Sequence, residues 1–94
     1  MVGIIARHKV KDFSQWNRVF KKFVDHRKSA GEKSYTIGNI IGDKNNLCLY
    51  FEWDTVENAN KFFHSEALAE AMKEGGVTEE PEIYMIEIQE QETT

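Results

Sequence analysis

The sequence contains one cysteine and one proline among its 94 residues, and it lacks any long apolar run. Because Cys48 has no partner within the chain, an internal disulfide is excluded. No CxxC pair or Cys/His cluster indicates a metal site. No segment approaches the roughly 20 apolar residues of a membrane span, and residues 1–7 run into charge instead of forming a signal peptide. We therefore expect a cytoplasmic protein with no membrane partner.

Charge is also modest, with 12 basic and 16 acidic residues and a net charge of −4. No basic patch with interleaved aromatic residues is present, so nucleic acid is not an expected partner. Hydrophobic residues make up 40% of the chain and aromatic residues 12%, which favours a packed domain over disorder. We expect a single domain over residues 1–90, followed by a mobile acidic tail at 91–94.

The hydrophobic pattern predicts four strands and two helical regions. Residues 2–10 alternate with period two, which is typical of a strand. Apolar residues then recur every three or four positions over 13–30, which predicts a helix that begins after Asp12 and ends at Gly31. The remaining predicted elements are strands at 34–41 and 47–53 joined by a loop at 42–46, a helical region capped by Thr55 and interrupted at His64-Ser65, and a strand at 82–90.

The resulting order β-α-β-β-α-β predicts an α+β fold of the ferredoxin-like class. Right-handed crossovers place the helices on one face of a four-stranded antiparallel sheet. The other face still carries apolar side chains on several strands, and such a surface favours association. We therefore expect a homodimer that packs sheet against sheet, a dimeric α/β barrel. Arg7 lies on that second face and is interpreted as a salt-bridge residue, within the chain or across the dimer.

Two histidines are the candidate catalytic residues. His8 lies in the inward register of the first strand, and His26 lies at the edge of the apolar stripe of the first helix. If that helix covers that strand, both imidazoles line one cavity, where a histidine can take a proton from a phenol or enol. The alternative is that each ring bonds a backbone carbonyl at the rim. His64 is interpreted as a capping or surface residue.

Aromatic side chains supply a candidate wall for a flat ligand. The alternative interpretation is an ordinary aromatic core. Tyr35 is in addition a candidate hydrogen-bond donor to a ligand oxygen. The predicted substrate-binding residues are Trp16, Phe20, Phe23, Tyr35, Phe51, Trp53 and Phe63.

The segment HKVKDFSQW at residues 8–16 resembles the opening of small dimeric α/β-barrel proteins of the antibiotic biosynthesis monooxygenase superfamily. Residues 23–31, 49–54 and 65–72 resemble the end of its first helix, its third strand and its last helix. The resemblance implies the same fold, and it points to a cofactor-independent monooxygenase or cyclase that acts on an aromatic or polyketide-like molecule.

Other activities within the superfamily fit less well. Haem-degrading members use Asn, Trp and His at positions where this chain offers Arg7 or His8, Phe62 or Phe63, and Lys73. We therefore expect no haem and no other cofactor. Two alternatives stay open: a module that binds a small apolar molecule without turnover, and a stress-response barrel protein whose role is dimeric scaffolding.

Overall fold

The computed structural model describes residues 1–94, and its elements follow the predicted order. The strands and helices are β1 (Val2–Lys9), α1 (Phe13–Lys22), α2 (Val24–Ala30), β2 (Glu32–Ile40), β3 (Asp43–Trp53), α3 (Val56–Phe63), α4 (Glu66–Glu74) and β4 (Glu82–Glu87). The strands form one antiparallel sheet in the order β2-β3-β1-β4, with the helices on one face. This confirms the ferredoxin-like βαββαβ prediction.

The core lies between the helices and the alternate residues of β1 and β3. In the register of these strands, Ile4 is opposite Phe51 and His8 is opposite Leu47, and all four side chains are buried. Successive strand residues point to opposite faces, so the buried set fixes which face of β1 meets the helices. His8 therefore points to the helix side, as the period-two pattern predicts.

The predicted helical caps are present. Asp12 accepts the amide of Gln15, Thr55 accepts that of Asn58, and Ser65 accepts that of Leu68. The predicted interruption at His64-Ser65 therefore separates two helices, α3 and α4.

The single helix expected over residues 13–30 is wrong, because the chain forms two helices that meet at Phe23. At this junction the carbonyl of Phe20 accepts both the amide of Phe23 and Nη1 of Arg27. Extra donors on one carbonyl compete with the regular i to i−4 ladder and break it here. The periodicity predicts one apolar stripe along residues 13–30. Because of the break, the residues of α1 and those of α2 do not lie on one continuous stripe.

The hairpin loop expected at 42–46 is also wrong, because only Ile41 and Gly42 lie between β2 and β3. Gly42 has φ +85°, which glycine adopts without strain. The polar residues that follow are bonded into the structure, since Asn45 Oδ1 accepts the amide of Phe13 and Asn46 Oδ1 accepts Nη1 of Arg7. Polar composition therefore does not indicate a loop at these positions.

The chain end departs slightly from expectation, since β4 ends at Glu87 and not at residue 90. Beyond it, Nε2 of Gln91 donates to Oε2 of Glu52 across 2.7 Å. The domain limits of 1–90 and the mobility of residues 91–94 stay predictions. None of the helices is long and apolar enough to cross a membrane.

The sheet face away from the helices carries an exposed apolar patch formed by Ile5, Tyr84 and Ile86. Their exposed fractions are 42%, 59% and 39%. Ile5 is opposite Tyr84 in the register of β1 and β4, and Ile86 is opposite the small Gly3, so the patch is continuous. Beside it, Arg7 forms salt bridges to Glu79 and Glu82 at 3.0 and 2.9 Å, which confirms a structural ion pair within the chain.

Gly31 gives a first test of the fold. It has φ +119°, and an added Cβ would lie 2.8 Å from Nε1 of Trp53. We expect Gly31→Ala to lower the free energy of unfolding by about 2–3 kcal/mol in urea titrations. Gly38→Ala is the matched control, because the atom nearest to its added Cβ is 3.9 Å away; it is expected to be neutral or slightly stabilising. Equal effects of the two substitutions would contradict this account of the α2 terminus.

Candidate functional site

An apolar cavity lies between the helices and the helix side of the sheet. Its volume is about 70 Å³, it is partly open to solvent, and 13 of its 16 lining residues are hydrophobic. His8 and Arg27 are its ionisable side chains. A concave apolar space with few polar groups is the usual form of a small-molecule site. The lining residues are Ala6, His8, Trp16, Val19, Phe20, Phe23, Arg27, Leu49, Phe51, Phe62, Phe63, Leu68, Ala71, Met72, Pro81 and Ile83.

His8 enters this cavity from β1 and is only 6% exposed. Its ring packs edge-on to that of Trp16, with centroids 5.8 Å apart. Neither Nδ1 nor Nε2 has a hydrogen-bond partner in the protein, so the alternative of a backbone carbonyl partner does not hold for this residue. An unpaired buried polar group costs about 1–3 kcal/mol, and a ligand that bonds the ring recovers part of that cost.

The surroundings of His8 also keep its imidazole neutral. Burial first, and the charge of Arg7 second, lower the pKa of His8 from 6.5 to about 4, with Glu79 acting in the opposite direction. At neutral pH the ring therefore offers one N–H donor and one nitrogen acceptor. It can bond a ligand hydroxyl or accept its proton.

The aromatic wall begins at His8 and continues along α1. The rings of Trp16 and Phe20 stack with centroids 4.8 Å apart and an angle of 20°. The guanidinium carbon of Arg27 lies 3.6 Å from the centre of the Phe20 ring, a cation–π contact. His8 and Arg27 therefore flank the two ends of one aromatic stack.

The structure brings most of the predicted site residues together. His8, Trp16, Phe20, Phe23, Phe51 and Phe63 all line the apolar cavity. Three other predicted residues, His26, Tyr35 and Trp53, lie outside it. The roles assigned to these residues stay predictions.

The expectation that His26 shares a cavity with His8 is wrong. His26 is exposed and lines a separate, more polar cleft that includes Ser29, Asn58 and Lys61. On α2 the inward position belongs to the next residue, Arg27, which is 3% exposed. His26 therefore points to the α3 side, where its ring lies 5.9 Å from that of Phe62.

Trp53 and Tyr35 have structural surroundings. Trp53 is fully buried, and its Nε1 donates to the carbonyl of Ala30 across 2.9 Å. Tyr35 is 40% exposed and packs edge-on to Phe20, with centroids 5.0 Å apart. Trp53 thus supports the wall from behind, and Tyr35 borders it from β2.

Arg27 also lines the cavity, and it is not among the predicted site residues. Its Nε donates to Oε1 of Glu32 across 2.8 Å, and its Nη1 donates to the carbonyl of Phe20. Its Nη2 is buried without a partner. Burial raises the pKa of Glu32, and the charge and hydrogen bond of Arg27 oppose that rise. A charged residue within an apolar helical stripe is the signal that could have identified it.

The wall formed by α4 is packed less tightly than the rest of the cavity. Leu68, Ala71 and Met72 line the cavity from this helix, yet no residue of α4 is buried. By contrast, α1 buries Trp16 and Val19. Elements with few buried contacts open at the lowest free-energy cost, so α4 is the wall of the cavity that should open most readily. No group of three or more His, Cys, Asp or Glu residues lies together as a metal site.

The lowered pKa of His8 predicts a pH dependence of stability. Below pH 6.5 the unfolded chain binds a proton at His8 that the folded chain does not bind until about pH 4. Lowering the pH from 7 to 5 should therefore reduce the free energy of unfolding through this group by about 2 kcal/mol. Urea titrations at both pH values check this on the wild type and on His8→Phe, in which the loss should shrink by that amount.

Comparing wild type with His8→Phe isolates the contribution of His8 to the pH dependence. The comparison is needed because the raised pKa of Glu32 changes the free energy of unfolding in the opposite direction over an overlapping pH range. His64→Gln, at an exposed histidine, is the control and should retain the wild-type pH dependence. An identical pH dependence in wild type and His8→Phe would mean that His8 is not held neutral by burial.

Comparison with known proteins adds structural neighbours and no sequence relatives. No family model matches the chain, and no curated protein matches it. A protein from Bordetella bronchiseptica superimposes on this chain with a TM-score of 0.75 at 19% identity. It is provisionally named an antibiotic biosynthesis monooxygenase. The match covers 99% of this chain and 97% of that one.

Two further solved structures have the same fold. SnoaB from Streptomyces nogalater, described as a cofactor-independent oxygenase, has a TM-score of 0.74 at 12% identity, covering 96% of this chain and 94% of its own. A conserved protein from Methanosarcina mazei has a TM-score of 0.70 at 16% identity, covering 90% and 89%. At these identities the likeness concerns the fold. The chain thus shares the fold of these proteins over nearly its whole length.

Proposed function

We propose that this chain is a cofactor-independent oxygenase that acts on a flat aromatic molecule with an acidic hydroxyl or enol group. The observation that carries the proposal is His8, a neutral imidazole with two unpaired ring nitrogens on the wall of an apolar cavity. A solved protein with the same fold is described as a cofactor-independent oxygenase, which supports this choice among the functions that such a cavity could serve.

The reaction needs a base and molecular oxygen. His8 accepts the hydroxyl proton, and the resulting anion is electron-rich enough to reduce O2. Overall, one C–H and one O–H bond of the substrate break, one oxygen atom of O2 becomes a new carbonyl oxygen, and the other leaves as water. The substrate is oxidised to a quinone, and O2 is the oxidant. The apolar lining excludes water from the anion and its oxygenated intermediate.

The base strength of His8 limits which substrates can react. With a pKa of about 4, His8 is too weak to remove a proton from an ordinary phenol at appreciable equilibrium. An anion formed beside the ring raises its pKa, because opposite charges favour the charged form. The proposal therefore favours acidic substrates, such as anthrones and polyhydroxylated aromatic rings.

Binding without turnover is the second candidate. The same low pKa favours a hydrogen-bonding role for His8 over proton uptake, and the cavity could serve to sequester or sense an aromatic molecule. The two candidates share the site and differ only in whether oxygen is consumed.

Oxygen uptake distinguishes them. With anthrone as the probe, we expect consumption of O2 and formation of anthraquinone, together with a rise in the melting temperature on binding. His8→Phe should lower the rate of O2 uptake at least a hundredfold, since general-base catalysis contributes about 10²–10⁴. His64→Gln is the control and should keep the wild-type rate.

Two other outcomes of this experiment would change the proposal. Thermal stabilisation by anthrone without O2 uptake would replace the oxygenase proposal with the binding role. No stabilisation by anthrone or by 1-naphthol would contradict a small-molecule site in this cavity and would favour the scaffold role.

We also propose that the protein is a homodimer that packs through the apolar patch of Ile5, Tyr84 and Ile86. This patch lies on the sheet face opposite the cavity, so two copies can join without blocking either site. The neighbouring charge of Arg7 is already paired within the chain, so burying the face leaves no new unpaired cation. A second copy with the same patch is therefore the occupant that fits it.

Sedimentation velocity at micromolar concentration tests the dimer. The wild type should sediment as a dimer, and Tyr84→Lys should shift it to monomer, because it places a charge in the patch. Ile41→Lys is the matched control, since Ile41 is 99% exposed at the β2–β3 turn, off the patch. A wild-type monomer, or an equal effect of both substitutions, would contradict this interface.

A further inference from the structure

The guanidinium of Arg27 has bonding capacity that the fold does not use. The residue is 3% exposed. Nε is paired with Glu32 and Nη1 with the Phe20 carbonyl, while Nη2 is buried with no partner. Leaving such a group unpaired is costly, more so when it is charged. Contacts within the fold therefore use two of the three guanidinium nitrogens, and the third has no hydrogen-bond partner.

The position of Arg27 links its side chain to the cavity. Arg27 is one of the lining residues, and its guanidinium covers the Phe20 ring. Phe20 stacks on Trp16, and Trp16 contacts His8. The cavity therefore carries an unsatisfied polar group at each end of the Trp16–Phe20 stack, His8 at one end and Arg27 at the other.

We propose that Arg27 Nη2 anchors a carbonyl oxygen of the ligand, while His8 bonds a hydroxyl at the other end of its flat aromatic body. The inference rests on the proposed small-molecule site and specifies its ligand class: a fused aromatic molecule with oxygen functions at both ends. In this role Arg27 orients the ligand so that its hydroxyl meets His8.

The charge of the site selects a neutral oxygen over a carboxylate. Glu32 already neutralises Arg27 through a salt bridge of 2.8 Å between groups that are each 4% exposed. A ligand carboxylate would bring a second negative charge beside the same guanidinium with no counter-ion of its own. A carbonyl takes the free N–H groups without adding charge.

A set of probes separates the anchor from general affinity for the cavity. The first pair is 6-acetyl-2-naphthol and 6-ethyl-2-naphthol, which have the same ring and hydroxyl and differ in the carbonyl. Isothermal titration should show the acetyl compound binding at least about tenfold more tightly to the wild type, as for a hydrogen bond from a charged donor. The third probe, 6-hydroxy-2-naphthoate, should bind more weakly than the acetyl compound.

Arg27→Lys tests the residue itself. Lysine keeps the positive charge beside Glu32 but lacks the second terminal nitrogen. We expect the preference for the acetyl compound to fall to within about threefold of unity, while the affinity for the ethyl compound changes little. Arg18→Lys, at an exposed position of α1, should keep the wild-type preference.

Failure of the Arg27 anchor can be distinguished from failure of the proposed small-molecule site. Binding of the ethyl compound with no preference for the acetyl compound in the wild type would overturn the anchor and leave the cavity intact. Binding of no probe would overturn both. If Arg27→Lys does not fold, the wild-type comparison decides, together with the Arg27 side-chain Nη signals in ¹⁵N NMR. Those signals should shift with the acetyl probe and not with the ethyl probe, and unchanged signals would overturn the anchor.

Discussion

The buried ion pair of Arg27 and Glu32 holds the candidate site in place. It ties the end of α2 to the start of β2 and fixes the guanidinium over Phe20, which in turn stacks on Trp16 beside His8. Removing one partner of a buried ion pair costs about 3–5 kcal/mol, whereas replacing both by apolar groups is often neutral. The contribution of this pair is therefore mainly positional: it aligns an aromatic wall with a polar group at each end.

Much of the fold follows from local patterns that the sequence displays directly. Period-two alternation places His8 on the helix side of β1, and the side chains of Asp12, Thr55 and Ser65 mark helix starts through bonds to nearby amides. The helix break at Phe23 and the two-residue turn at Ile41-Gly42 were not predictable in this way. Both involve side-chain hydrogen bonds that the periodicity does not reveal. The Arg27 side chain bonds the Phe20 carbonyl in one case, and Arg7 and Phe13, far away in the sequence, bond Asn46 and Asn45 in the other.

The candidate site, like the fold, was predictable from the sequence only in part. The aromatic composition and the inward register of β1 predict an apolar cavity with a histidine on its wall. The separation of His26 from that cavity depends on the break in the helix, which redirects the positions that follow it. The place of Arg27 within the apolar helical stripe marks it in the sequence, but its buried partner Glu32 lies on another element and is known only from the structure. The inward register predicts that His8 is buried, but the extent of burial that lowers its pKa is known only from the structure.

The loose packing of α4 has a consequence for selectivity. The sheet and α1 line the cavity with buried side chains such as Ala6, Trp16 and Leu49, and closely packed groups tolerate little change in the shape of what they contact. Met72 and Leu68 on α4 are supported by no buried neighbour on their own helix, and methionine adapts readily to irregular shapes. For the proposed small-molecule site, this predicts sharp discrimination among molecules that differ on the edge facing the sheet. The proposed site would accept congeners that vary only on the edge facing α4 almost alike, and would thus serve a small family of related compounds.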